Sequence, residues 1–230
     1  TVGLAGLACA WTLPTGDAAD PTAPLRLSPL AGIRDLWSEA FTDSKTRLAT
    51  LGLCFFWASG GLYVSTLPGH LRDILGTDEI LMVVVMAVFA AGIGAGSWIA
   101  QRRLAGRVSV TPVFPAAVLI TVSGLVIWSA LAAVPENAGL AWLGQTGPGR
   151  ALVAGILGVS IGGGLFAVPL QALVQDRAPS GRRARRIAAL NIATALATAT
   201  TTLGVAGAVQ AGLSLDVLFG GLAVLSGLVA

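Results

Sequence analysis

Charge is scarce in this sequence. Only 11% of its 230 residues are Asp, Glu, Lys or Arg, and 55% are hydrophobic. Soluble domains carry roughly 25% charge, so this chain lacks the polar surface that a water-soluble or disordered protein needs. The residues of metal and redox chemistry are equally thin. There is one histidine, and the two cysteines, Cys9 and Cys54, lie inside apolar runs, where they predict neither a disulfide nor a metal site. No cluster of His, Cys, Asp or Glu offers a catalytic centre, and no cofactor motif is present. His70 and Asp73 do not form a His-x4-Asp acyltransferase box, which would require an acid where Leu75 stands. Gly92-Ile93-Gly94-Ala95-Gly96 lies within an apolar run with no strand before it, which excludes a nucleotide-binding reading. The net charge of +3 comes without a basic groove interleaved with aromatics, so nucleic acid is not an expected partner.

What is present is a set of long apolar runs. About 20 such residues cross a bilayer as a helix, and 48–68, 80–100, 110–134, 151–174 and 187–211 each reach that length without an internal charge. A sixth span is expected over 213–230, and 1–13 reads as the end of a preceding transmembrane helix. The leading run has neither the basic region nor the processing site of a signal peptide, and no initiator Met is present. The chain is therefore expected to be an all-α, polytopic membrane bundle and a fragment of a larger protein.

Alternating spans put 14–47, 101–109 and 175–186 on one side. These segments hold Arg26, Arg34, Lys45, Arg47, Arg102, Arg103, Arg107, Arg177, Arg182, Arg183, Arg185 and Arg186, twelve of the fourteen Lys and Arg residues. The other side keeps only Arg72 and Arg150. Positive charge marks the cytoplasmic side, so the basic connections are expected to face the cytoplasm. Trp11, Trp98, Trp128 and Trp142 fall near span ends and suit interfacial anchoring; Trp57 lies deeper and is a candidate to face a cavity. Within the 14–47 connection, Ser28-Pro29 is a helix-start signal. Leu30, Ile33, Leu36, Trp37, Ala40 and Phe41 then recur at helical spacing, predicting an interfacial helix over about 29–41.

No acid or base lies in the middle of a complete span, and intramembrane charge is the usual mark of ion coupling. The spans instead hold neutral polar groups. Trp57, Ser59, Tyr63, Gln171, Asn191, Thr194 and Thr198 are the candidate substrate pathway, with Gln171 and Asn191 on consecutive spans. Two glycine pairs one turn apart, Gly92 with Gly96 and Gly158 with Gly162, remove side chains from one helix face and predict close helix packing.

Several stretches carry a family resemblance. They are Phe56-Trp57-Ala58-Ser59-Gly60-Gly61, Leu75-Gly76-Thr77-Asp78-Glu79, Val88 to Ser97, and above all Val168-Pro169-Leu170-Gln171-Ala172-Leu173-Val174-Gln175-Asp176-Arg177-Ala178-Pro179, continuing to Asn191. In these the chain resembles the carboxy-terminal six-helix half of a major facilitator superfamily transporter. It is similar in particular to bacterial lysophospholipid transporters and to the transporter modules fused to acyl-acyl-carrier-protein phospholipid O-acyltransferases. The resemblance implies a multi-pass protein of the bacterial inner membrane that moves lysophospholipid by alternating access. Its implied partners are membrane lipid, the missing amino-terminal transmembrane half and a possible cytoplasmic acyltransferase. Arg102, Arg103, Arg107, Asp176, Arg177, Arg182, Arg183, Arg185 and Arg186 become candidates for a cytoplasmic gate or a headgroup contact. One departure stands out: where family members place an acid in the loop after the glycine-rich span, this chain has Gln101, and Asp176 is the candidate substitute. A carrier of a soluble solute or drug, and a membrane module of a larger acyltransferase, are the alternative functions.

Overall fold

In the computed structural model, residues 2–12, 39, 41, 43–179 and 181–229 are described. Among them the regular structure is helical: α1 (Val2–Trp11), α2 (Ser44–Leu75), α3 (Ile80–Leu104), α4 (Val113–Leu131), α5 (Ala141–Gln145), α6 (Gly147–Asp176), α7 (Arg183–Gln210) and α8 (Leu215–Val229). Five of these, α2, α3, α4, α6 and α7, are long and apolar enough to cross a membrane. The expected interfacial helix over 29–41 lies outside the described residues, apart from Glu39 and Phe41.

The helix ends differ from the ends of the apolar runs, because capping chemistry sets them. α2 starts at Ser44, four residues before the apolar run expected over 48–68, and Asp43 is the reason. Its carboxylate accepts from the Lys45 and Thr46 backbone amides at 3.1 and 3.2 Å and from the Thr46 hydroxyl at 2.6 Å. This satisfies donors that a helix start leaves open. α2 continues through Pro68, which a membrane helix tolerates, and ends at Gly76, where φ is +61°. A β-carbon at Gly76 would meet Asn137 Oδ1 at 2.6 Å, so this turn is closed to side chains on two counts.

Where the run 110–134 predicts a span, the helix covers only Val113–Leu131, with Pro112 at its N-cap. α6 begins at Gly147, four residues before the expected 151–174, with the Thr146 hydroxyl accepting from the Gly149 amide at 3.0 Å. α7 likewise begins at Arg183 rather than 187, which draws Arg183, Arg185 and Arg186 out of the expected loop and onto a first helical turn.

α6 is the axis of the bundle. It packs along α3 on one flank, along α4 on another and against α2, while α7 lies mainly along α2 and α8 along α4. Within their apolar windows, 56% of α6 is buried inside the bundle against 11% of α7, so α7 presents most of its surface outward. Polar contacts join the helices at both ends of the bundle. Arg177 Nη2 lies 3.2 Å from Asp43 Oδ1, joining the end of α6 to the start of α2. At the opposite end the Asn137 and Gly139 amides donate to the Ile74 and Leu75 carbonyls, both at 3.0 Å, and His70 Nε2 lies 3.3 Å from Asp216 Oδ1. That last pair ties α2 to the start of α8.

The Asp43 cap has a pH signature. The Thr46 hydroxyl, then the Thr46 amide and Arg177, hold the Asp43 carboxyl down at about 2, below its ordinary 3.8. A depressed carboxyl adds stability that is fully present above its unfolded value and is lost as pH falls through the folded one. The unfolding midpoint of Asp43→Ala is therefore expected to lie below the parent's at pH 7, by the equivalent of about 1 kcal/mol. The gap should narrow as the pH falls from 4 towards 2, as thermal unfolding in detergent at both ends of that range will check. A gap unchanged at low pH would assign the cap's effect to something other than its charge.

Candidate functional site

The expected pathway residues divide between two places. Trp57 of α2, Gln171 of α6 and Asn191, Thr194 and Thr198 of α7 line one open trough of about 500 Å³, completed by Leu190, Ala195 and Ala199. The spacing 191, 194, 195, 198 is one helical stripe, and it lies on the helix that the bundle leaves most exposed. Thr194 and Thr198 turn their hydroxyls back to the Leu190 and Thr194 carbonyls at 3.0 and 2.9 Å, presenting methyl groups and spent donors. Gln171 and Asn191, by contrast, make no side-chain hydrogen bond among the described residues, so both amides keep donors and an acceptor for something in the trough. Trp57 is 48% exposed and supplies an apolar wall. No charged side chain lines this trough.

Ser59 and Tyr63 do not join it, contrary to the expectation from sequence. Two residues beyond Trp57 is about 200° around a helix, which turns Ser59, and Tyr63 one turn later, into the bundle. Tyr63 is buried and stacks on Phe219 at 5.5 Å between ring centroids. The Ser59 hydroxyl donates to the Phe56 carbonyl at 3.1 Å. Both line an inner cavity of about 30 Å³ among Phe55, Phe56 and Phe166, room for about one water and none for a larger ligand.

The basic residues also separate. Arg182 Nη1 lies 3.0 Å from Glu39 Oε1, with Arg185 Nε at 3.9 Å and Arg186 Nη2 3.8 Å from Glu39 Oε2. Arg186 is 2% exposed, and its Nε and Nη1 have no hydrogen-bond partner among the described residues. Arg183 is exposed. Arg102 stacks over Trp98 at 4.1 Å, whereas Arg103 and Arg107 line a separate groove between α3 and α4. Asp176, the expected acid partner of Arg102, Arg103 or Arg107, is exposed and forms no ion pair among the described residues. The acids that meet arginines at this end are Glu39 and Asp43 instead. Asp43 was legible as a cap signal immediately before Ser44-Lys45-Thr46; Glu39 gave no local signal, because its partners lie about 143 residues away.

The two glycine pairs pack, but not on each other. Added β-carbons at Gly92 and Gly96 would strike Ser160 and the Ile161 carbonyl of α6, whereas those at Gly158 and Gly162 would strike Ser123 and Ile120 of α4. α6 is thus pressed by a small-residue seam on each flank. Gly163, next in sequence, lies against Phe56 of α2.

Membrane-length helices around a trough bearing neutral amides, with a basic cluster at one end, are the setting in which likeness to known proteins becomes informative. The family profile described as Major Facilitator Superfamily matches residues 1–202. A curated protein of Enterobacter sp. (strain 638), described as lysophospholipid transporter LplT, is 30% identical over 171 residues, covering 72% of this chain and 38% of that protein. The chain thus spans well under half the length of that relative. No solved structure matches the chain at a significant level. With the profile extending from the first helix into α7, this multi-pass membrane chain belongs to the major facilitator superfamily.

Proposed function

We propose that the protein is a secondary transporter that moves a lysophospholipid, of the lysophosphatidylethanolamine kind, across or between the leaflets of a bacterial inner membrane. The observation that carries this reading is the trough at Gln171 and Asn191. A molecule with one acyl chain and a zwitterionic head needs an apolar wall with a few neutral hydrogen-bonding groups. Trp57, Leu190 and the threonine methyls supply the wall, and the Gln171 and Asn191 amides, which have no side-chain partner among the described residues, supply the hydrogen bonds. Likeness to the Enterobacter lysophospholipid transporter supports the same substrate class.

The trough opens on the poorly buried face of α7, and polar amides facing lipid would be costly. A second, amino-terminal helical half covering that face would close the trough into a midplane site, and rocking of the two halves would alternate its access. At the cytoplasmic end Arg182 and Arg185, largely exposed beside Glu39, would draw a lipid phosphate toward the mouth. A cytoplasmic acyltransferase, fused or separate, would then consume the delivered lysolipid.

The test is uptake of labelled lysophosphatidylethanolamine into spheroplasts of a transporter-deficient strain expressing the full-length protein. Gln171→Ala combined with Asn191→Ala is expected to lower uptake at least tenfold at equal membrane expression, since each lost hydrogen bond to a polar headgroup costs on the order of 1 kcal/mol or more. Absence of uptake by a well-expressed parent would transfer the assignment to a soluble-solute carrier or to a membrane module of an acyltransferase.

A further inference from the structure

A second polar opening lies away from the trough and shares no residue with it. α3 and α4 both pack along α6 but scarcely along each other, and the gap between them at the basic end is a groove of about 1000 Å³. Ile99 of α3, Leu119 of α4 and Leu165 of α6 form its apolar walls, and its rim carries Arg103, Arg107, Ser109 and Thr111.

The α3–α4 connection brings these polar groups together. Ala105 and Gly106 are both left-handed, with φ of +46° and +79°. They fold the chain back so that the Arg107 amide donates to the Leu104 carbonyl at 2.8 Å, and two arginines four positions apart reach one groove. Beyond the turn the Ser109 and Thr111 hydroxyls hydrogen-bond each other at 2.6 Å. One of the two has its proton engaged; the other can direct its proton outward.

The charge here is of one sign. From Ile80 to Val134 the chain contains Arg102, Arg103 and Arg107 and no Asp or Glu, and Arg102 is turned onto Trp98. Arg103 and Arg107 are exposed and form no ion pair among the described residues. Two guanidinium groups at the mouth of an apolar groove, at and just beyond the end of a membrane-length helix, match a lipid phosphate above acyl chains, and basic pockets between helices on the cytoplasmic side of a membrane are suited to such headgroups.

We propose that the groove between α3 and α4 holds an anionic diacyl phospholipid of the surrounding leaflet, its phosphate between Arg103 and Arg107, its headgroup hydroxyls toward Ser109 and Thr111, and its chains against Ile99, Leu119 and Leu165. This lipid is a resident ligand and not the transported molecule. The site rests only on the groove and on the chain's place in a membrane, so it stands whether or not lysophospholipid is the substrate.

Native mass spectrometry of the full-length protein, released from nanodiscs of phosphatidylglycerol and phosphatidylethanolamine in equal amounts, tests it. The parent and Arg102→Gln are expected to retain phosphatidylglycerol. Retention should fall roughly thirtyfold when Arg103→Gln and Arg107→Gln are combined. Leu119→Trp, which fills the groove and leaves the arginines in place, should lower retention as well; if it does not fold, the charge variant decides alone. Equal phosphatidylglycerol retention by the double arginine variant would overturn the proposal. So would equal retention of phosphatidylethanolamine, or an adduct with the mass of a monoacyl lipid.

Discussion

Gly96→Ala is expected to destroy most of the folded protein, while Gly94→Ala, two residues away on the same helix, leaves it intact. A β-carbon at Gly96 would fall on the Ile161 carbonyl and lie 3.0 Å from the Ile161 α-carbon, whereas one at Gly94 meets nothing within 4 Å. The obstacle at Gly96 is backbone, which no rotamer change removes. The same crossing is tight from the other side, where a β-carbon at Gly164 would meet the Ile93 carbonyl, the Ser97 amide at 2.6 Å and the Gly96 carbonyl carbon at 2.9 Å. Relief requires α3 and α6 to separate, and in a bilayer their association rests on van der Waals packing, with no hydrophobic effect between helices to compensate. A cost of about 3 kcal/mol, at the upper end for overpacking, is enough to deplete a marginally stable fold. Gly158→Ala should fall between the two, because the atom it meets most closely is the Ser123 hydroxyl, which can rotate. The yield of monodisperse protein in mild detergent checks the order. Equal yields for the alanine variants at 94 and 96 would refute this crossing geometry.

The glycine seams show what a sequence can and cannot carry. Spacing of Gly92 and Gly96, or of Gly158 and Gly162, marks a bare face, but a bare face does not name its partner. Each motif meets a serine and an isoleucine on the adjoining helix, and neither partner is marked by the spacing itself. Five of the expected spans were legible because hydrocarbon thickness fixes the length of an apolar run, whereas the run expected over 213–230 as a sixth gives the shorter α8 of 15 residues. Their ends were less so, since Asp43 and Thr146 cap helices several residues outside those runs.

Within the trough, Asn191, Thr194 and Thr198 share one helical stripe and could be grouped from spacing alone. Trp57, Ser59 and Tyr63 lie close together in the chain, and helical phase separates the first from the other two. Gln171 meets this group only through the packing of α6 beside α7, which a single sequence does not encode. The pairing of Glu39 with α7 is of the same kind: an acid on the connection before α2 meets arginines far along the chain through tertiary structure alone.

That pairing sets the second large effect. Glu39→Ala is expected to destabilise the protein by about 3 kcal/mol, far more than Arg182→Ala, although Arg182 makes the shortest contact with Glu39, at 3.0 Å. The difference lies in burial. Arg182 has a side chain 62% exposed, so its pair is screened by water and contributes less than about 1 kcal/mol. Arg186 is 2% exposed, and Glu39, 8% exposed, is the only acid within ion-pair distance of it among the described residues. Removing that carboxylate leaves a buried guanidinium without its counter-charge, the situation in which breaking a buried pair costs most. A double-mutant cycle separates this from a simple loss of packing. Arg186→Met keeps an unbranched apolar side chain and removes the charge, so in the Glu39→Ala background it should recover most of the lost stability. Thermal unfolding of the four proteins in one detergent reads the coupling. If Glu39→Ala is no worse than Arg182→Ala, or if Arg186→Met adds to its effect instead of reversing it, Arg186 is not held by Glu39. If the recovery appears, the connection before α2 and the first turn of α7 are fastened by one carboxylate, and any motion that parts them at the basic end must first supply Arg186 with another anion or with water.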